Sequence, residues 1–306
     1  MKSGTEGPEV STHGTPRSRS LWELALRRFV QNKAAVFGLA VFAALLLMAI
    51  FAPLIAPHDP LEQDIGQAFE PGFWKYGFEA EYFLGSDWLG RDLLSRLIHG
   101  ARITVAVASV AVGISLVAGV CIGLSAGYYG GQVDNVLMRI MDIILAFPTL
   151  ILALAIIAIL EPGASKAMIA IGIVYTPAVS RVVRGSVLAV KEEDYILATR
   201  AIGSRNSRIL MRHVTPNVIG PTIVYATLAV AAAILDTAFL GFLGLGAQPP
   251  LPEWGTMLSD SRDYIILGYW WVVMFPGIAI FLAVLGTNLM GDGLRDAIDP
   301  RSDQRV

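Results

Sequence analysis

The chain has 306 residues, of which 55% are hydrophobic and only 16% charged, and its mean hydropathy is +0.60. Soluble domains carry about a quarter charged residues, so an ordinary water-soluble globule is excluded and the bilayer is the expected solvent. A net charge of −2 gives no general attraction for nucleic acid, and the single cysteine, Cys121, excludes an intrachain disulfide and is expected only to pack within its apolar stretch.

Residues 1–20 are rich in Ser, Thr, Gly and Pro and bury too little apolar surface to offset the entropy of ordering, so a disordered tail is expected. Trp22, Ala25, Leu26, Phe29 and Val30 then recur at helical spacing opposite Arg27 and Arg28, the pattern of a helix lying on a membrane surface. The apolar run 34–56 exceeds the roughly 7–15 residues of a signal-peptide core, so residues 21–56 are read as an amphipathic helix plus an uncleaved first span. Residues 57–100 form a loop rich in acids (Asp59, Glu62, Asp64, Glu70, Glu79, Glu81, Asp87, Asp92) and in aromatics (Phe69, Phe73, Trp74, Tyr76, Phe78, Tyr82, Phe83, Trp88). Such rings suit a half-wet interfacial belt; a surface that receives an extracytoplasmic partner is the alternative.

Further runs long enough to cross about 30 Å of hydrocarbon lie near 101–127, 136–160, 166–188, 218–240 and 268–290, which makes six transmembrane helices and an all-α integral membrane protein. With the N-terminus inside, residues 1–33, 128–139, 181–217 and 291–306 are cytoplasmic and hold 17 of the 23 Lys and Arg, whereas the opposite topology inverts the positive-inside rule. Both termini are therefore cytoplasmic, the loop 57–100 is external, residues 101–290 form a five-helix core, and 291–306 is a cytoplasmic tail. In the second span Ala111, Ser115, Gly119, Gly123 and Gly127 fall at four-residue spacing, leaving one face without bulky side chains for close approach of another helix, of this chain or of a second subunit. Ionisable residues in the apolar runs are scarce: Asp142 near the start of the third and Asp236 deep in the fifth, each expected to face protein or water.

Between spans four and five stands "DYILATRAIGSRNSRILMRHVTPN". A helix from Ser186 to Ile202 continues the fourth span, Gly203 and Ser204 supply a stop and a fresh N-cap, and a short helix runs through Ile209 and Met211. Thr215 and Pro216 read as N-cap and first residue of the fifth span. Ala198, Ala201 and Gly203 keep this helix–turn–helix low and smooth, with Arg200, Arg205, Arg208 and Arg212 around it. It suits either a groove on an acidic partner or anionic headgroups.

The stretch resembles the EAA loop of ABC-importer permeases. Aligned on Gly203 and Pro216, the family's Glu-Ala-Ala falls on Leu197, Ala198 and Thr199, of which only Ala198 is kept, and His213 and Thr215 depart from its apolar and Leu positions. "RRFVQNKAAVFGLAVF", "LGSDWLGRDLLSRLIHGARIT", "DIILAFPTLILALAI", "FLGFLGLGAQPPLPEWGTMLSD" and "FPGIAIFLAVLGTNLMGDGLRDAIDPR" are similar to the C-type permease subunit of dipeptide, oligopeptide and nickel importers, in order and across most of residues 21–301. The resemblance implies a type I ABC importer permease fold in the inner membrane, paired with a B-type permease, two ABC ATPases and an extracytoplasmic solute-binding protein. It also implies a coupling loop over 190–217 that docks an ATPase through Tyr195, Leu197, Ala198, Thr199, Arg200, Ala201, Gly203, Ser204, Arg205, Arg208, His213 and Pro216. ATP and magnesium are expected on the partner ATPases, since no G-x-x-x-x-G-K-[ST] occurs here, and this chain is expected to carry no catalytic, cofactor or metal site.

Three other readings compete. An ion-coupled secondary carrier needs midplane coupling sites, and a single deep Asp with no evident inverted repeat supplies little. A structural membrane subunit predicts no dependence on substrate. An enzyme lacks support because His13, His58, His99 and His213 are scattered, although a metal shared by His58 and His99 on the outer side is conceivable for a nickel importer.

Overall fold

The computed structural model describes residues 21–75 and 81–298. The N-terminal tail, His13, Tyr76, Phe78, Glu79 and residues 299–306 lie outside the described residues. Among the described residues the regular structure is helical, with one isolated bridge, Ser86 to Asp92.

Helix α1 (Leu21–Gln31) packs on α12 (Trp271–Ile298), where Phe29 lies against Gly293. Asn32 then caps α2 (Lys33–Ile50), its side-chain oxygen accepting from the amides of Ala34 and Ala35. Pro53 opens the single turn α3 (Ala52–Ile55), which ends the first span before residue 56. The second span is α4 (Leu93–Tyr129), which starts at the cap Asp92. At 1.5 Å per residue its 37 residues reach roughly 55 Å, so it carries the chain from the loop 57–92 at one end of the bundle to the basic hairpin at the other.

The third span departs from expectation. In place of one rod over 136–160, α5 (Gly131–Leu145) and α6 (Thr149–Leu160) meet at an 89° bend. Pro148 is the cause: it disfavours helical backbone at Phe147 and has no N–H to continue the ladder, so α6 starts afresh after it. Helices α7 (Ala164–Lys191), α10 (Thr215–Phe242) and α12 supply the remaining spans, giving five unbroken apolar helices and one broken one among the described residues.

Between apolar helices in lipid, association relies on fit rather than on exclusion of water, and the fit is visible where α4 meets α7, its most extensive contact. The four-residue ladder of α4 faces a matching ladder on α7: a Cβ on Gly119, Gly123 or Gly127 would come within 2.6–2.8 Å of Val179, Val183 or Val187. Gly172 of α7 returns the approach toward Ile114, and Ser115 is fully buried with its hydroxyl donated to the Val112 carbonyl. The small-residue face is thus spent on packing within the chain. Cys121, by contrast, lies on the exposed side of α4 and does not pack as expected.

At the loop end, the aromatics of 57–92 do not form a free belt. Phe69 stacks on Tyr269 with centroids 4.0 Å apart, Trp74 lies against Trp270, Trp271 and Phe275, and Trp271 Nε1 donates to the Ser86 carbonyl at 3.2 Å. The loop is fastened to the start of α12. Beside it, α11 (Trp254–Ser261) inserts the fully buried Trp254 against Gly100, its indole N–H donated to the Leu97 carbonyl.

Candidate functional site

The basic hairpin occupies the far end of α4 and α7. Helix α7 stops at Lys191 rather than running on to Ile202; Glu192 and Glu193 break it, and α8 (Asp194–Ala201) begins a new axis. Gly203 follows with φ +78°, a left-handed turn that L-residues resist. The next turn, α9 (Asn206–Ile209), is capped at Arg205 instead of Ser204.

Thr215 is not a cap either. Residues Leu210–Val214 form a π-helical turn that runs without interruption into α10, with both the amide and the hydroxyl of Thr215 donating to the Leu210 carbonyl. Pro216 lacks the N–H that the next α-helical bond would use, and the wider turn accommodates that loss within a continuous rod. Movement of the hairpin is thereby joined directly to a membrane-spanning helix.

Two sets of side chains divide the hairpin. Ile196, Ile209 and Val214 are fully buried and pack with Val183 and Val187 of α7, Leu124 and Tyr128 of α4, and Val218 of α10. Hydrogen bonds reinforce that anchor: Tyr128 Oη donates to Asn206 at 3.0 Å, and Asn217 donates to Tyr195 Oη and to the His213 carbonyl. Leu197, Ala198, Arg200, Ala201, Gly203, Arg205, Arg208 and Pro216 are exposed, whereas Thr199, Ser204 and His213 are half-buried. Among the described residues Arg200, Arg205, Arg208 and Arg212 make no ion pair.

The exposed face is less purely basic than the arginines suggest. Ile202 is 82% exposed and Met211 66%, so the hairpin offers apolar side chains as well as guanidinium groups. Sequence reasoning passed over Ile202 and Met211 because a lone apolar residue in a basic loop carries no periodic signal. It also missed the Tyr128–Asn206 and Tyr195–Asn217 contacts, whose partners are 78 and 22 residues apart.

The other singled-out residues lie apart from the hairpin's exposed face. Asp236 on α10 accepts from Tyr175 Oη of α7 at 2.8 Å, a polar contact between neighbouring helices. Asp142 on α5 pairs with Arg181 of α7 at 2.7 Å. His58 and His99 gather around Ser95: its hydroxyl accepts the His58 amide, and its carbonyl lies 3.0 Å from His99 Nδ1. No group of three His, Cys, Asp or Glu side chains arranged to hold a metal occurs among the described residues.

A bundle of apolar spans with a broken third helix, and an anchored hairpin presenting unpaired cations, is the architecture of an integral membrane transport subunit. Residues 119–304 match the family described as "Binding-protein-dependent transport system inner membrane component", and residues 20–71 match the "N-terminal TM domain of oligopeptide transport permease C". The chain belongs to this family of inner-membrane permeases. It is 50% identical over 273 residues to the di/tripeptide transport system permease protein DppC of Pseudomonas aeruginosa, covering 89% of this chain and 90% of that one. It is 49% identical to the dipeptide transport system permease protein DppC of Escherichia coli K12 (90% and 92% covered) and 39% identical to the glutathione transport system permease protein GsiD of Pectobacterium atrosepticum (92% of each). In fold it is similar to the inward-facing methionine ABC transporter MetNI, with a TM-score of 0.55 at 20% identity over 67% of this chain and 96% of that one.

Proposed function

We propose that this chain is one of two permease subunits of an ABC importer that carries di- and oligopeptides inward, with ATP and magnesium bound by separate ATPase subunits. The carrying observation is the divided hairpin: buried apolar residues fix it to α4, α7 and α10, while Ile202, Met211 and the unpaired arginines are left for another molecule. The bias of Lys and Arg along the sequence supports a cytoplasmic position for this end and both termini. There two ABC ATPases reach the pair of permeases, this chain and a B-type partner, and closure of the ATPases moves α10 through the π turn. The opposite end, built from 57–92 and α11, meets the solute-binding protein. Peptide is the cargo class that the relatives' names support: dipeptides, di- and tripeptides, and glutathione, itself a tripeptide.

Gly203→Trp in the assembled importer tests the docking. A Cβ at Gly203 meets nothing within 4 Å, so bulk there faces a partner and not this chain. Gly203→Ala carries the same backbone cost, roughly 1–2 kcal/mol for an L-residue in the left-handed region, without the bulk. Uptake of labelled dialanine into proteoliposomes falls about tenfold or more in the Trp variant, a coupling loss of roughly 1.4 kcal/mol, and stays near wild type with Ala. Normal ATP-dependent uptake by the Trp variant overturns the docking assignment.

A further inference from the structure

A cluster of charges lies on α5 and α7, outside the hairpin. Asp134, Asn135, Met138, Arg139, Asp142 and Arg184 line a groove of about 440 Å³ between α5 and α7, within the roughly 300–1,000 Å³ usual for small-molecule sites. Arg184 holds Asp134 with two hydrogen bonds of 2.6 Å, and Arg181 holds Asp142 Oδ1 at 2.7 Å. Arg139 is exposed and makes no ion pair among the described residues, and Asp142 Oδ2 has no partner there. Two pairs therefore cancel, and one guanidinium is left over.

Position says what this face meets. Helix α7 is roughly 42 Å long, and Arg181 stands ten residues, roughly 15 Å, from its hairpin end. The Asp142 and Arg181 side chains are 49% and 54% exposed. The bias of Lys and Arg sets 128–139 and 181–217 on the cytoplasmic side, so these half-exposed charges stand at the cytoplasmic edge of the spans, where the groove faces water or protein. Two aspartates on the same face argue against an anionic headgroup. The opposite side of α5 is apolar and exposed at Val136, Ile140 and Ile143, so the helix separates a greasy face from this wet one.

We propose that this groove is a peptide-terminus site of the translocation pathway, in which Arg139 takes the substrate's α-carboxylate and the free oxygen of Asp142 takes its α-ammonium. It rests on the peptide-importer reading above. Every unblocked peptide carries these two charges whatever its side chains, so a carrier of many peptides can recognise them without reading sequence. Arg139 and Asp142 are three residues apart on one helical face, about 5–6 Å between Cβ atoms, and a two-residue chain extends at most about 7 Å. A guanidinium fork fits a carboxylate in two parallel hydrogen bonds, which lysine cannot copy.

The test is uptake by the assembled importer with its binding protein, comparing KM for dialanine with that for its C-terminal amide. Preference exerted by the binding protein is common to wild type and variant and cancels when the two ratios are compared. Arg139→Gln lowers the preference for the free carboxylate about tenfold, the factor for one lost charge-assisted hydrogen bond pair, and Arg139→Lys falls between. If Arg139 only seats α5, both substrates lose equally and the ratio is unchanged in the Gln and Lys variants alike, which overturns the site while peptide transport stands. A wild-type importer that moves neither substrate overturns the cargo reading and this site together.

Discussion

The two ends of the bundle treat charge in opposite ways. At the loop end, Asp87, Arg91 and Arg96 are each no more than 4% exposed and satisfy one another: Asp87 Oδ2 lies 2.7 Å from Arg91 Nε and 3.3 Å from Arg96 Nε, while Arg96 also donates to the Pro60 carbonyl. At the hairpin end, four arginines stand exposed and unpaired, and the buried contacts are almost all apolar. One end ties its buried charges to one another. The other is held by apolar packing and leaves its arginines exposed. Helices α4 and α7 connect the two ends, and the broken third span packs on both, its charged groove opening between α5 and α7.

The largest expected effect comes from breaking the loop end. Asp87→Ala leaves Arg91 and Arg96 buried without their shared carboxylate, and also strips the Leu89 and Arg91 amides of an acceptor. Removing one partner of a buried pair costs about 3–5 kcal/mol, a large share of the roughly 5–15 kcal/mol that holds a typical domain together. Yield of folded protein in detergent and resistance to proteolysis both fall sharply. If the variant is as stable as wild type, burial and mutual pairing are not what make this end rigid.

This contrast was only half legible in the sequence. Hydropathy exposed the spans, because about twenty apolar residues in a row have few other uses, and four-residue spacing exposed the ladder from Ala111 to Gly127. Gly203 announced the hairpin turn. The bend at Phe147–Pro148 was hidden because Pro148 lies inside a run whose average hydropathy stays high, and the average carries no geometry. Thr215 and Pro216 looked like a helix start since proline usually marks one; only the three-dimensional chain shows that a π turn absorbs it. The loop-end network was out of reach for a simpler reason. Trp271 finds Ser86 across 185 residues and Thr104 finds Glu253 across 149, and no local periodicity encodes such pairs.

The hairpin end breaks differently. Ile202→Asp places a charge on the most exposed apolar residue of the tip, where nothing in this chain depends on it. Thermal stability of the isolated chain stays within about 0.5 kcal/mol of wild type, as for other surface substitutions. Uptake by the assembled importer drops about tenfold, because a central apolar contact of an interface is typically worth more than 1 kcal/mol. Unchanged uptake leaves the ring of arginines as the whole of the contact and removes Ile202 from it.

The smallest effect concerns Glu253, which ties the loop end to the spans. Its carboxylate is 1% exposed, accepts from the amides of Gly255 and Thr256 at the start of α11, and accepts from Thr104 of α4 at 3.3 Å; it occupies the space that a side chain at Gly241 of α10 would fill. Burial pushes its pKa up to about 7, although the two amides and Thr104 pull the other way. A carboxyl with a higher pKa folded than unfolded binds its proton more tightly in the folded state, so its contribution is fully present below about 4.5 and is lost as pH rises through about 7. The thermal midpoint of the wild-type chain therefore declines across that window. Glu253→Gln cannot titrate and removes that part of the slope, whatever it does to the midpoint itself. A slope that survives the substitution assigns the pH response to another group, with Asp260 beside Arg91 and Arg96, its pKa also raised, chiefly by desolvation, the next to replace.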